Sequence, residues 1–307
     1  MNIKKFFLYF FSLIIVFLLS CESRSGEKRR LKNDETVVLH QNENFQKTKH
    51  HNTLKVLTWN IQNLGQSKNT EEISTISKII NPYDIVAIQE VVAKDPRGAQ
   101  KVAQIVDELN RMGAKWDYSI SDPTQSPSSN MSERYAYLWK TSKVSLFNNP
   151  YLDEKLKNIC IREPYIAGFK LKKSTSCFYL INFHARVHSQ KPEEEIRYFI
   201  NYQERLESEN IIILGDFNLN ETHEVWDDLY DKGFVSAIQN SRTTLKKKCK
   251  NKKYLYHSMD NIYYNSNTVN LLSSGKVDFV GSCDNLVNAR QISDHLPVFI
   301  EFSHIKK

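Results

Sequence analysis

The stretch Ile211-Ile212-Ile213-Leu214-Gly215-Asp216-Phe217-Asn218-Leu219-Asn220 constrains the fold more than any other. Four aliphatic residues in succession read as a strand buried in a core. That strand runs into Asp216, Asn218 and Asn220. A carboxylate and two amides are more than a turn requires, and they are good ligands for a hard cation or a phosphate.

The same event recurs along the chain. Leu54–Trp59 alternates into a strand and ends on Asn60-Ile61-Gln62-Asn63. Asp84–Ile88 reads as a buried strand ending on Gln89-Glu90, and 178–183 ends on His184-Ala185-Arg186. Ser258-Met259-Asp260-Asn261 opens another strand, and Ser293-Asp294-His295 stands just before the last, 298–302. Sheet folds place their sites at such edges. Taken singly, each residue has a bland role. Asn60 and Asn218 suit turns, Glu90 suits a helix start, and His184 and His295 suit core histidines bonded to carbonyls. Taken together, those roles require repeated coincidence, and a shared site is the better reading.

Further strands are expected at 135–139, 144–147, 166–171, 261–264 and 276–280. Ile73, Ile76, Ile79 and Ile80 lie at helical spacing, as do Val102, Ile105, Val106 and Leu109. Ile196, Phe199, Ile200 and Leu206 mark another helix. Hairpins expected within 166–183 and 261–280 argue against a purely parallel sheet. The expected class is α/β, with two packed, mainly antiparallel sheets flanked by helices. With 40% hydrophobic and 25% charged residues the chain suits a globular protein rather than a disordered one. Its net charge of +7 is compatible with a polyanionic partner.

The motif set Trp59-Asn60-Ile61-Gln62, Ile88-Gln89-Glu90-Val91, Gly215-Asp216-Phe217-Asn218 and Ser293-Asp294-His295-Leu296-Pro297 resembles the endonuclease/exonuclease/phosphatase superfamily. Ser132-Glu133-Arg134-Tyr135 and Ile161-Arg162-Glu163-Pro164 resemble its deoxyribonuclease I branch. The resemblance runs from about Leu54 to Phe302 and implies a four-layer α/β sandwich. It implies a metal-dependent endonuclease that hydrolyses phosphodiester bonds of DNA without sequence specificity, acting as a monomer. Mg²⁺ is implied at Glu90, with Asn60 and Asp294 nearby. Mn²⁺ is a natural substitute, and Ca²⁺ is compatible as a structural ion. Glu133 is implied to orient His184, and Asp260 to orient His295, with one ring donating a proton and the other accepting. Asp216 is implied in water activation, Asn218 in catalysis and phosphate holding, and Arg162 in forked donation to phosphate. The chain departs from the family pattern in lacking a cysteine near Asn220 and in carrying Met259 where the family has tyrosine. The same superfamily contains sphingomyelinases, so cleavage of a lipid head group is the alternative. A surface binding module that kept only the fold would be expected to lose Glu90 or a histidine, and none is lost.

Before this region, Lys4 and Lys5 precede an apolar run, Phe6–Leu19. As a helix its fourteen residues reach about 21 Å, short of the ~30 Å of a hydrocarbon core, so residues 1–20 read as an export signal. Leu18-Leu19-Ser20-Cys21 resembles a bacterial lipobox, which implies a lipid on Cys21. Ordinary signal-peptidase cleavage is the alternative. Residues 21–52 are polar and read as a lipidated N-terminus and flexible tether spanning roughly 30 Å. Residues 53–307 form one catalytic domain. The expected location is extracytoplasmic, as a cell-envelope lipoprotein or a secreted protein, with membrane contact through the lipid alone.

If Cys21 carries lipid, four cysteines remain, and four permit three pairings. Cys249 with Cys283 is favoured on the expectation that 258–264 and 276–281 form a hairpin. Lys246, Lys247, Lys248 and Lys250 begin a run of six lysines in eight residues. Composition alone reads it as a solvated loop. In the resembling enzymes the segment before the Asp260 position lies beside bound DNA, which implies contact of these lysines with a DNA backbone.

Overall fold

The structure is a computed structural model. It describes residues 53–304 apart from 129, 130 and 173. The expected signal, Cys21 and the tether to residue 52 lie outside the described residues. No helix among the described residues is long and apolar enough to cross a membrane.

In chain order the strands are β1 (Leu54–Leu64), β2 (Ile85–Val92), β3 (Trp116–Ile120), β4 (Glu133–Lys140), β5 (Val144–Leu146), β6 (Tyr151–Leu152), β7 (Tyr165–Leu171), β8 (Cys177–His184), β9 (Ile211–Asp216), β10 (Phe234–Ser236), β11 (Leu245–Lys250), β12 (Lys253–Leu255), β13 (Asp260–Asn265), β14 (Val269–Lys276) and β15 (Val298–His304). The helices are α1 (Thr70–Ile80), α2 (Arg97–Arg111), α3 (Glu193–Ile196), α4 (Tyr202–Arg205), α5 (Asp227–Asp231) and α6 (Leu286–Ile292).

Two sheets pack face to face. The first has the order β14-β15-β1-β2-β4-β3, and the second β10-β13-β9-β8-β7-β5, with β6 beside β7. Each holds a single parallel pair at its centre, β1 with β2 and β8 with β9, and is otherwise antiparallel. The parallel pairs need crossovers, which are helical: α1 joins β1 to β2, and α3–α4 join β8 to β9.

The layering explains the aliphatic run. Ile212 and Leu214 enter the core between the sheets, with Val56, Ile85, Tyr135 and Leu180. Ile211 and Ile213 turn to the outer core, against Phe199, Tyr202 and Trp226. Both faces of β9 are covered, so polar alternation disappears. β1 divides likewise: Leu54 and Val56 face inward, while Leu57, Trp59 and Ile61 meet α1 and α2 on the other side. Helix α1 begins with a capping box, Asn69 accepting from Glu72 N and Glu72 from Asn69 N, at 2.9 and 2.8 Å.

The expected α/β sandwich of two mainly antiparallel sheets is present. Several local expectations are corrected. Residues 261–280 form no hairpin: β13 belongs to the second sheet and pairs with β9 and β10, whereas β14 crosses to the first sheet and pairs with β15. The strand expected at 276–280 ends at Lys276, because Val277, Phe279 and Val280 pack as loop residues against the α1–α2 face and α6. The helix expected over 196–206 is two short α-helices joined by a 3-10 turn at Arg197–Asn201. The lysine run is no loop either. It forms β11, which pairs with β12 as a separate ribbon. Cys249 and Cys283 are joined, with Cα atoms 5.8 Å apart. The bond ties this ribbon to the turn before α6, not the two ends of a hairpin.

Candidate active site

The C-terminal ends of both central parallel pairs point to one rim. β1 delivers Asn60, β2 Glu90, β8 His184 and β9 Asp216. Antiparallel neighbours start there and add Glu133 on β4, Asp260 on β13, and His295 ahead of β15. Strand direction alone therefore gathers seven polar side chains from distant parts of the sequence.

Each histidine has a carboxylate behind it. His184 Nδ1 lies 3.0 Å from both oxygens of Glu133. His295 Nδ1 lies 3.1 and 2.9 Å from those of Asp260. A carboxylate accepts only, so Nδ1 donates in both rings and Nε2 is left for chemistry. The two Nε2 atoms face the same oxygen of Asp216, Oδ2, at 3.5 and 3.7 Å. These distances leave the rings aimed at the carboxylate without a tight bond to it.

The electrostatics follow from that packing. Burial works against a charged His295, but Asp260 and Asp216 outweigh it and raise its pKa to about 10. Burial and the Arg162 guanidinium push His184 down, but Glu133 and Asp216 prevail, and its pKa is raised. Burial disfavours the Asp216 anion, yet His295 and His184 hold its pKa below the ordinary carboxylate value. Burial likewise opposes the Glu133 anion, and His184 and Arg162 more than offset it.

Asn60 connects this cluster to Glu90. Its Nδ2 donates to Glu90 Oε1 at 3.0 Å and to Asp216 Oδ2 at 3.1 Å. Its Oδ1 is buried with no hydrogen-bond partner among the described residues. A buried acceptor without a donor is costly unless something else meets it. Glu90 sits in a bulge of β2 with φ +61°, a strained setting for a non-glycine residue, and also accepts from Asn63 N at 3.0 Å. An orphaned amide oxygen beside a carboxylate fits a hard divalent cation. Asp294 is close by, but its Oδ2 accepts from Gln62 Nε2 at 3.0 Å.

Asp216, Asp260 and His295 also bring potential ligand atoms within 4.8 Å of one another. His295 could join such a site only through Nε2, since its Nδ1–H faces Asp260.

Two expected phosphate ligands are engaged elsewhere. Arg162 is buried, donating from Nε to His184 O at 3.0 Å and from Nη2 to Ala185 O at 2.6 Å. Its fork braces the corner after β8 instead of opening toward a phosphate, because those two carbonyls have left the ladder. Asn218, at φ +50°, closes a tight turn: its N–H meets Asp216 Oδ1 at 2.9 Å, and its side-chain amide donates to Ala185 O at 3.1 Å. Gly215 precedes it at φ +144°, where a Cβ would stand 1.8 Å from Phe183 O. Only glycine permits this approach of β9 to β8.

Several contributors carry no distinct sequence signal. Thr243 Oγ1 donates to Asp260 Oδ2 at 2.6 Å. Trp59 Nε1 donates to His295 O at 2.9 Å. Lys68 is buried and donates from Nζ to Gln291 O at 2.7 Å, joining the loop after β1 to the end of α6. Gln89 donates to Asn182 Oδ1 at 2.6 Å between the sheets. Gln62 and Gln89 stood inside the quoted motifs, which was their only signal.

The lysine ribbon starts at the rim. Leu245 N donates to Asp294 O at 2.7 Å, and Thr244 bridges to His295. Lys247, Lys248 and Lys250 are exposed, and Lys246 is half-buried.

Comparison with known proteins agrees with this geometry. Residues 57–295 match the Endonuclease/Exonuclease/phosphatase family. Deoxyribonuclease-1-like 1 of Sus scrofa is 28% identical over 264 residues, covering 81% of each chain. The protein of that name from Cricetulus griseus is 28% identical over 53% of this chain and 54% of its own length. A Deoxyribonuclease of Thioalkalivibrio sp. (strain K90mix) is 26% identical over 81% of this chain and 71% of its own length. An endonuclease/exonuclease/phosphatase family protein from Bacteroides thetaiotaomicron shares the fold with a TM-score of 0.60 at 14% identity, covering 83% of this chain and 98% of that one. The chain belongs to the Endonuclease/Exonuclease/phosphatase family.

Proposed function

We propose that this protein is a divalent-metal-dependent endonuclease that hydrolyses phosphodiester bonds of DNA without sequence specificity, outside the cytoplasm. The observation that carries the reading is the pair of carboxylate-backed histidines facing one oxygen of Asp216. Deoxyribonucleases among the relatives support nucleic acid as the substrate.

Phosphodiester hydrolysis needs an aligned water, relief of charge on the phosphoryl oxygens and a proton for the leaving oxygen. Asp216, kept anionic, accepts a hydrogen bond from the attacking water and takes its proton as the P–O bond forms. His295, held as imidazolium, donates from Nε2 to a phosphoryl oxygen. His184, braced by Glu133 and Arg162, stands on the opposite side to donate to the departing oxygen. Glu90 and Asn60 Oδ1 would hold the cation, with Asp294 nearby. Bound there, Mg²⁺ or Mn²⁺ supplies Lewis-acid stabilisation of phosphoryl charge. Lys246, Lys247, Lys248 and Lys250 add phosphate affinity without chemistry. Arg162 acts on phosphate only by positioning His184.

The domain 53–307 follows an export signal, 1–20, and a tether, 21–52, lipidated on Cys21. It acts as a monomer, with the lipid as its sole membrane contact. The experiment is to incubate the mature protein with plasmid DNA, RNA and sphingomyelin, with Mg²⁺ or with chelator. Mg²⁺-dependent nicking of the plasmid supports the reading. Release of phosphocholine with intact plasmid would replace it with the lipid head-group activity. Retention of Cys21→Ser in the membrane fraction would remove the lipid anchor.

A further inference from the structure

Beside the rim stands an aromatic pair with no role in the chemistry above. Tyr256 is 54% exposed, and its ring centroid lies 3.6 Å from that of the exposed His257. Both residues are firmly seated. Tyr256 N donates to Thr244 O at 2.8 Å, and His257 N donates to Thr244 Oγ1 at 2.9 Å. Thr243 N and Thr244 N return bonds to His257 O at 2.7 and 3.1 Å. Thr244 in turn bridges His295. The pair is thus fixed by backbone to the segment that carries the imidazolium.

The surroundings are cationic. The segment leads directly out of the lysine ribbon, and His257 is lowered by burial and by repulsion from His188 and Arg242. An exposed ring that packs into no core, set among cations at the edge of a phosphodiesterase site, matches the combination that tracks a nucleic-acid strand: charge for the backbone and an aromatic face for a base. A membrane would instead require a contiguous apolar patch, and Lys252, Lys253 and Ser258 interrupt this one.

We propose that Tyr256, seated against His257, is a stacking platform for one nucleobase flanking the scissile phosphate, so that the enzyme favours strands with a base free to unstack over a closed duplex. The inference rests on the nuclease reading. A duplex must break a base stack to use the platform, whereas single-stranded or frayed nucleic acid presents the base directly.

The test compares the wild-type protein, Tyr256→Phe and Tyr256→Ala on a single-stranded oligonucleotide, its duplex, and the same single strand made abasic at each position in turn. Wild type is expected to have a lower KM for the single strand. Tyr256→Ala should raise that KM by roughly 5- to 100-fold with kcat little changed. Tyr256→Phe should restore it, and one abasic strand should be insensitive to the variant. A Tyr256→Ala effect of equal size on every substrate, or none, would overturn the platform while leaving the nuclease reading intact. Loss of binding to anionic phosphatidylserine vesicles in Tyr256→Ala, with cleavage unchanged, would assign the ring to a membrane instead. Wild-type protein that cleaves no nucleic acid would sink both readings.

Discussion

His184 and His295 approach the same carboxylate oxygen, Asp216 Oδ2, from 3.5 and 3.7 Å, yet His184 ends β8 of the second sheet and His295 stands on the segment leading into β15 of the first. Each ring is fixed by its own carboxylate, so the two are equivalent in orientation and differ in electrostatic surroundings. Arg162 opposes charge on His184, while Asp260 and Asp216 favour it on His295.

His184→Ala and His295→Ala should each lower turnover by roughly 10²–10⁴-fold, the range for a positioned acid or base. Steady-state cleavage of plasmid DNA, with circular dichroism to check folding, measures this. Near wild-type turnover in a folded variant would remove that histidine from the mechanism.

The pKa of His295 also fixes a pH dependence of stability. It is raised from 6.5 to about 10 in the folded protein. A group held protonated by folding contributes fully below its unfolded pKa and loses that contribution as pH rises through the folded value. The stability gap between wild type and His295→Gln, from urea unfolding in chelator, should be widest below pH 6.5 and narrow toward pH 10. A gap that widened with pH would contradict the imidazolium.

Asn60 offers a test of the cation site. Chelator should abolish nicking, and Mg²⁺ should restore it. Asn60→Ala removes the orphaned oxygen and the bridge to Glu90 and Asp216, so half-maximal activity should need roughly 10–100-fold more Mg²⁺. A titration that superimposed on wild type would move the ion elsewhere.

Replacing Lys246, Lys247 and Lys248 by Gln should weaken DNA binding similarly on all sequences. If about two phosphate contacts are lost, the slope of log K against log salt should become shallower by ~1.8 units. Turnover at saturating DNA should change little. An unchanged slope would leave the ribbon as solvated surface.

Much of this was legible in the sequence because local pattern and tertiary demand coincide. The run Ile211–Leu214 could only be satisfied by cover on both faces, and every strand that ended abruptly on a polar residue ended at the same rim. Pairing between strands distant in sequence was less legible. β13 and β14 look like hairpin partners because they adjoin, but Thr268 and Asn265 close a turn that sends the chain to the other sheet, where β15 awaits β14. The Cys249–Cys283 bond was thus expected on a wrong pairing. Arg162 is a related case: a guanidinium suits a phosphate and a pair of bare carbonyls equally well, and composition does not show that the carbonyls of His184 and Ala185 lie within its reach. Thr243 and Lys68 are ordinary residues whose importance comes only from what folds beside them.

The two sheets meet at the rim largely through side chains. Asn60, Glu90 and Glu133 belong to the first sheet, and His295 stands on the segment leading into its strand β15; His184, Asp216 and Asp260 belong to the second. Asn60 with Asp216, Glu133 with His184 and His295 with Asp260 each bridge the seam. Chemistry here is a gauge of alignment, as a vernier reads the offset of two scales. A slip of one sheet against the other would break all three couples together while leaving both sheets folded. Cavities cut far from the rim, at Ile212 or Tyr137 in the shared interior, should therefore be felt first as lost cleavage and only later as lost structure.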